Sequence, residues 1–217
     1  MRFDPAIARR NMVLSQLRPS QVTDEAVIAA MSEVPRERFV APELAALAYI
    51  DEEVAIAPGR ALLEPMVFAR MLQAAEIAPG DKVLDIGAAT GYGAAVLAQL
   101  AGEVVALESE PELAVAARGL LAALAPAVQV AQGALERGDS QHAPFDVIVF
   151  EGAIAEQPAA LFGQLADGGR AVAVVGEAGR TKAVLYRRHK GEIAERVLFD
   201  AAAPRLPGFA KAPRFVF

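Results

Sequence analysis

The order of apolar and polar positions divides the chain into two regimes. Residues 1–50 carry helical spacing alone: an amphipathic stretch over about 7–17 stops at Pro19, and Thr23 offers an N-cap to a second helix that places Ala26, Val27, Ala30 and Met31 on one face. With no strand signal, this part reads as an N-terminal helical extension. Pro58-Gly59 marks a loop, and Pro65 sits where the first turn of a helix tolerates proline, leading 66–75 to a stop at Pro79-Gly80.

After Gly80 short apolar bursts alternate with helical stretches, the mark of parallel α/β layering. Strands are expected at 83–86, 104–107, 128–130, 145–150 and 170–175, with helices over 91–100, 111–124 and 158–165. Strands joined by helical crossovers predict a doubly wound, mostly parallel Rossmann-like α/β sheet. The tail changes register: 183–186 and 195–199 flank a polar turn near Lys190-Gly191-Glu192, as in an antiparallel hairpin. No linker divides 51–217, so the expected organisation is the extension over 1–50 followed by one α/β domain over 51–217.

Composition narrows the classes. The chain has 217 residues, 54% hydrophobic and 22% charged, which suits a globular domain and excludes a disordered or collagenous one. Alanine alone accounts for 48 positions, and no apolar run approaches the ~20 residues of a spanning helix. The start, Met1-Arg2-Phe3-Asp4-Pro5, lacks the basic-then-apolar layout of a secretory signal, so a soluble cytoplasmic protein without a membrane partner is expected. Zero cysteines rule out disulfides, zinc fingers, Fe–S clusters and thiol nucleophiles. Two histidines, His142 and His189, leave little for a metal or a histidine base, and no metal is expected. A net charge of −6 argues against nucleic acid; the run Arg187-Arg188-His189-Lys190 reads as a solvated hairpin end. A monomer is the expected state.

The segment Asp85-Ile86-Gly87-Ala88-Ala89-Thr90-Gly91-Tyr92 lies between the first expected strand after Gly80 and its helix. Small residues there let the backbone approach a ligand, and the helix start offers free N–H groups at the carboxyl edge of the sheet. A tight strand-to-helix turn needs the same glycines for packing alone. Glu108 ends the next strand 23 residues after Asp85, where a carboxylate faces the crevice and accepts hydrogen bonds from ribose hydroxyls. A dinucleotide site would want Gly-x-Gly-x-x-Gly, but Ala89 and Tyr92 stand at the second and third glycines. Asp85 suits a ligand with a cationic amino group, which favours S-adenosylmethionine over a nicotinamide cofactor. On this reading Asp85, Gly87, Ala88, Ala89, Thr90, Gly91 and Tyr92 hold the methionine end, Glu108 and Ser109 the ribose, and Ala134 and Leu135 the adenine.

The run 83–92 with Ala94-Ala95-Val96-Leu97-Ala98 resembles the cofactor loop of protein-L-isoaspartate O-methyltransferases. Val34-Pro35-Arg36-Glu37-Arg38-Phe39-Val40, Ala48-Tyr49-Ile50-Asp51, Ala143-Pro144-Phe145-Asp146-Val147-Ile148-Val149 and Gly168-Gly169-Arg170 are similar to further signatures of that family, in order, over about 10–176. The resemblance implies a class I methyltransferase fold, S-adenosylmethionine as cofactor, and methylation of isoaspartyl carboxylates in aged proteins or peptides. Departures fall at functional positions. Where the family has Ile-Gly-x-Gly-Gln-Thr-Ile-Ser-Gln-Pro, this chain has Ile56-Ala57-Pro58-Gly59-Arg60-Ala61-Leu62-Leu63-Glu64-Pro65, without hydroxyls at the acceptor positions Ala61 and Leu63. Gly133-Ala134-Leu135 replaces Gly-Asp-Gly, and the tail from Leu206-Pro207-Gly208-Phe209 through Phe215-Val216-Phe217 does not match the family's usual ending. Arg60, Leu62, Leu63, Glu64 and Glu151 are the candidate acceptor-binding residues. Arg60 is expected to meet an acceptor carboxylate or to pair with Glu64 or solvent. No catalytic residue is assigned. Another carboxylate acceptor, or a cofactor-binding regulatory module without catalysis, remains an alternative.

Overall fold

The apolar bursts after Gly80 become the centre of a seven-stranded sheet in the computed structural model, which describes residues 3–177 and 179–210. The sheet strands are β3 (Lys82–Ile86), β4 (Glu103–Glu108), β5 (Gln129–Gln132), β6 (Phe145–Ile154), β7 (Leu165–Glu177), β8 (Arg180–His189) and β9 (Glu192–Asp200), after a separate pair β1 (Val54–Ala57) and β2 (Arg60–Leu62). Their order is β5-β4-β3-β6-β7-β8-β9. β5 through β7 are parallel, and β8 and β9 add antiparallel, as the hairpin signal predicts.

Alternation along the strands builds two apolar layers, because successive side chains point to opposite faces. Val83, Val104, Ala106, Val147, Val149 and Val172 face one layer with the N-terminal region, while Leu84, Ile86, Val105, Leu107, Ile148 and Phe150 face the other. Helices α3 (Pro65–Ala75), α4 (Tyr92–Leu97) and α5 (Pro111–Leu124) contribute to the first layer; α6 (Ala159–Phe162), Leu135, Leu206 and Phe209 contribute to the second.

The first helix, α1 (Pro5–Met12), runs on into a π-helical turn, Val13–Leu17, and stops before Pro19 as expected. In α2 (Glu25–Glu33) the cap is Asp24 rather than Thr23: the Asp24 carboxylate accepts from the N–H groups of Ala26 and Val27 at 2.9 and 3.2 Å. The backbone N–H groups of Thr23 and Asp24 instead donate to Gln73 Oε1 of α3, at 2.7 and 2.9 Å. Met12, Leu17, Met31 and Phe39 thereby enter the layer that holds Phe68 and Tyr92.

Other departures are local. The β1–β2 hairpin around Pro58-Gly59 has no counterpart among the expected strands. α4 and α6 are shorter than the expected helical stretches, and β6 runs past 150, where Ala153 and Ile154 pair with Val174 and Val175 of β7 and Ala153 also bonds the segment at 204–206. Among the described residues no helix is long and apolar enough to cross a membrane. Met1, Arg2, Ala178 and 211–217, including the ending at 215–217, lie outside the described residues.

Candidate functional site

The chain leaves β3 through a turn that only small residues tolerate. Gly87, Ala89 and Gly91 have φ of 82°, 51° and 96°. A Cβ on Gly91 would lie 2.9 Å from Leu121 Cδ1, so packing against α5 adds a steric requirement to the conformational one. Ala89 accepts a left-handed conformation costing about 1–2 kcal/mol, and its N–H gains Glu108 Oε2 at 2.7 Å.

Glu108 is fully buried at the end of β4. Its Oε1 accepts from the N–H groups of Ser109 and Glu110 at 2.8 and 3.0 Å. Arg60 of β2 closes on it as a two-pronged ion pair, Nη1 to Oε1 at 2.6 Å and Nη2 to Oε2 at 2.8 Å, and Nη2 also donates to the Gly87 carbonyl at 2.7 Å. Arg60 is 4% exposed. It pairs with neither Glu64 nor solvent, because the β1–β2 hairpin lays it against the sheet edge, where a buried guanidinium requires a carboxylate.

Beneath the same turn, Asp85 and Glu151 bring two carboxyl groups together. No backbone or side-chain N–H and no alcohol or phenol hydroxyl donates to either Asp85 oxygen or to Glu151 Oε1, which leaves the two carboxyls to each other. Burial pushes the Asp85 carboxyl up to about 7; the Glu151 hydrogen bond acts against that, the Glu108 charge with it. Burial first, then the Asp85 charge, holds Glu151 well above the usual carboxylate range. Both carboxyls are thereby held toward the protonated form. Gly93 makes room for them, since a Cβ there would fall 1.6 Å from Glu151 Oε1. Arg36 lies close by, fully buried, donating to the carbonyls of Ala48 and Leu63 at 2.6 and 2.7 Å and stacked 4.7 Å from the Tyr92 ring centroid.

The remaining candidates divide. Thr90 is turned to the N-terminal region, its hydroxyl donating to the Phe39 carbonyl at 2.6 Å, and Tyr92 packs edge-on against Phe39. Ser109 keeps its hydroxyl 3.4 Å from Glu108 Oε1, and Ala88 is buried in the turn. Leu62 and Leu63 are 1% and 2% exposed and Ala61 is buried, so their side chains fill core rather than face an acceptor. Glu64 is half-buried beside Asp51, Glu52 and Glu53, and burial followed by those charges pushes its carboxyl up. Leu135 belongs to the core and Ala134 is exposed. The adjoining cavity, of about 390 Å³, is lined instead by Leu107, Gly133, Asp139, Ser140 and His142. His142 Nδ1 lies 2.9 Å from Asp139, and His189 is exposed at the hairpin end, where its neighbours Arg187 and Arg188 reach Glu76 and the carbonyls of Gly163 and Leu165.

Sequence reasoning misses Leu206. The segment 204–209 runs along β6, with Ala153 N–H donating to Pro204 O at 2.8 Å, Leu206 N–H to Ala153 O at 2.9 Å and Ala155 N–H to Phe209 O at 3.1 Å. This pairing sets Leu206 Cδ2 2.7 Å from the position a Cβ on Gly87 would take. The residue stands 119 positions from Gly87, and no local pattern announces the contact.

Residues 8–202 match the family described as Protein-L-isoaspartate(D-aspartate) O-methyltransferase (PCMT). A protein-L-isoaspartate O-methyltransferase of Koribacter versatilis (strain Ellin345) is 41% identical over 196 residues, covering 90% of this chain and 88% of that protein. One of Gloeobacter violaceus (strain ATCC 29082 / PCC 7421) is 43% identical over 190 residues, covering 87% and 93%. Among solved structures, a putative protein-L-isoaspartate O-methyltransferase from Plasmodium falciparum, in complex with S-adenosyl-L-homocysteine, aligns with a TM-score of 0.79 at 20% identity over 94% of this chain and 99% of that one. That alignment establishes the shared fold. The strand order, the β3–α4 turn with its acid on β4, and the match along nearly the whole chain agree: the chain belongs to the protein-L-isoaspartate O-methyltransferase family.

Proposed function

We propose that the chain is an S-adenosylmethionine-dependent carboxyl methyltransferase acting on isoaspartyl residues of proteins and peptides, as a monomer in the cytoplasm. The observation that carries the reading is Glu108, an acceptor-only carboxylate fixed by three backbone N–H groups beside the Gly87–Gly91 turn. The donor set fits the cofactor in kind. Glu108 is the carboxylate that would meet ribose hydroxyls once Arg60 leaves it, and Asp85, which receives no N–H, lies beneath the same turn. The cavity between Leu107, Gly133 and His142 lies alongside for the base.

When bound, S-adenosylmethionine supplies a methyl group on a sulfonium whose departure needs no proton. The chain's own part is to align donor and acceptor and keep water out. A carboxylate acceptor, with an ordinary pKa near ~4, is ionised at neutral pH and needs no general base. Burial, and then the Asp85 charge, hold Glu151 toward its protonated form, which ill suits it to act as one. The buried Ala61 and Leu63, which carry no hydroxyl, favour as a second reading a carboxylate other than the isoaspartyl one.

The test is methyl transfer from labelled donor to an isoaspartyl peptide, with the aspartyl peptide as control. Base-labile label on the isoaspartyl peptide alone is expected. Cofactor binding without label on that peptide refutes the isoaspartyl assignment and turns the search to other carboxylates.

A further inference from the structure

We propose that Arg60 and Leu206 latch the cofactor crevice shut, so that the adenosyl cofactor binds only in competition with them. The proposal rests on reading the Gly87–Glu108 crevice as the cofactor site. Glu108 has no acceptor direction to spare: Oε1 takes Arg60 Nη1 and the N–H groups of Ser109 and Glu110, and Oε2 takes Arg60 Nη2 and the N–H of Ala89. Ribose hydroxyls would have to displace the guanidinium. The Gly87 carbonyl is bound by the same guanidinium, and the open face of Gly87, which a ligand backbone approach requires, is covered by Leu206.

The two blocking side chains come from distant parts of the chain, Arg60 from the β1–β2 hairpin and Leu206 from the 204–209 segment, and neither belongs to the β3–α4–β4 unit they cover. Both elements have somewhere to go. Arg60 also lines a cavity of about 610 Å³ with Ile56, Pro58, Glu110, Glu112 and Pro207, where two glutamates offer the guanidinium alternative partners. The 204–209 segment is held along β6 by three backbone hydrogen bonds, by Arg205 Nη2 on the Gly176 carbonyl at 2.7 Å and by the burial of Leu206 and Phe209 in the second layer, and it forms none of the seven strands of the sheet. Release of Arg60 and lifting of Leu206 expose one continuous surface from Gly87 past Glu108.

The test is calorimetric titration of the full chain with S-adenosylhomocysteine, which reads binding independently of methyl transfer. A latch closed in nine molecules of ten weakens apparent affinity about tenfold, so Arg60→Gln and Leu206→Ala, each removing one of the two blocks, are expected to bind tighter than the wild type by up to about tenfold. Leu206→Ala leaves the ion pair intact and decides the matter should Arg60→Gln fail to fold. Folded Leu206→Ala binding no tighter than the wild type overturns the latch, and so does absence of binding throughout the series. A variant that binds tightly but leaves an isoaspartyl peptide unlabelled overturns the acceptor assignment and leaves the latch standing.

Discussion

The Asp85–Glu151 pair makes stability depend on pH in a direction opposite to that of an ordinary salt-bridged acid. In the folded chain Asp85 holds its proton up to about 7, against 3.8 for an unperturbed aspartate. Between those values the folded state binds more protons than the unfolded state, so stability falls as pH rises through the window. Three pH units at ~1.4 kcal/mol each correspond to about 4 kcal/mol, of which roughly 3 kcal/mol falls between about pH 5 and 8. Replacing Asp85 with Asn removes the titration while keeping an amide N–H to donate to Glu151. Glu53 and Glu64, whose carboxyls burial also pushes up, stay in the variant and cancel in the difference, whereas Glu151, which Asp85 helps to push up, adds to it in the same direction. Urea unfolding followed by far-ultraviolet circular dichroism, from acid to mild alkali, is therefore expected to show the wild type losing stability relative to Asp85→Asn. Parallel curves, within about 0.5 kcal/mol, would refute the raised Asp85 carboxyl.

Two further substitutions address how the site is supported. A Cβ at position 152 would meet Leu206 Cγ at 2.7 Å and the Pro204 carbonyl at 2.8 Å, so Gly152→Ala is expected to cost about 1–3 kcal/mol. The same variant should hasten tryptic cleavage after Arg205; unchanged thermal unfolding and cleavage would show that the 204–209 segment sits elsewhere. Asp24→Ala should lower stability by about 1 kcal/mol through loss of the α2 cap, whereas Thr23→Ala, whose backbone N–H keeps its bond to Gln73, should change it by a few tenths. Equal losses in thermal denaturation would return the cap to Thr23.

What the residue order determined is the part governed by short-range repetition. Short apolar bursts became β3, β4 and β6, prolines at 65 and 111 opened helices, and the spacing from Asp85 to Glu108 placed two acids on neighbouring strands. The β1–β2 hairpin was hidden because its strands have only four and three residues, too short to show a period. The Asp24 cap was misread as Thr23 because the two adjoin and both side chains cap helices; the Gln73 contact, 50 residues away, settled which one does.

The site itself divides the same way. Glu108 was recognisable from spacing, but its partner Arg60 was not: a bidentate ion pair is set by where a hairpin lays its side chain in space, and 48 residues separate the two. Leu206 over Gly87, and the raised carboxyls of Asp85 and Glu151, likewise exist only once the sheet has brought strand ends together and removed water from between them. Local periodicity can specify which segments become strands and helices, but side-chain proximity, and the desolvation that goes with it, arise only when those segments pack.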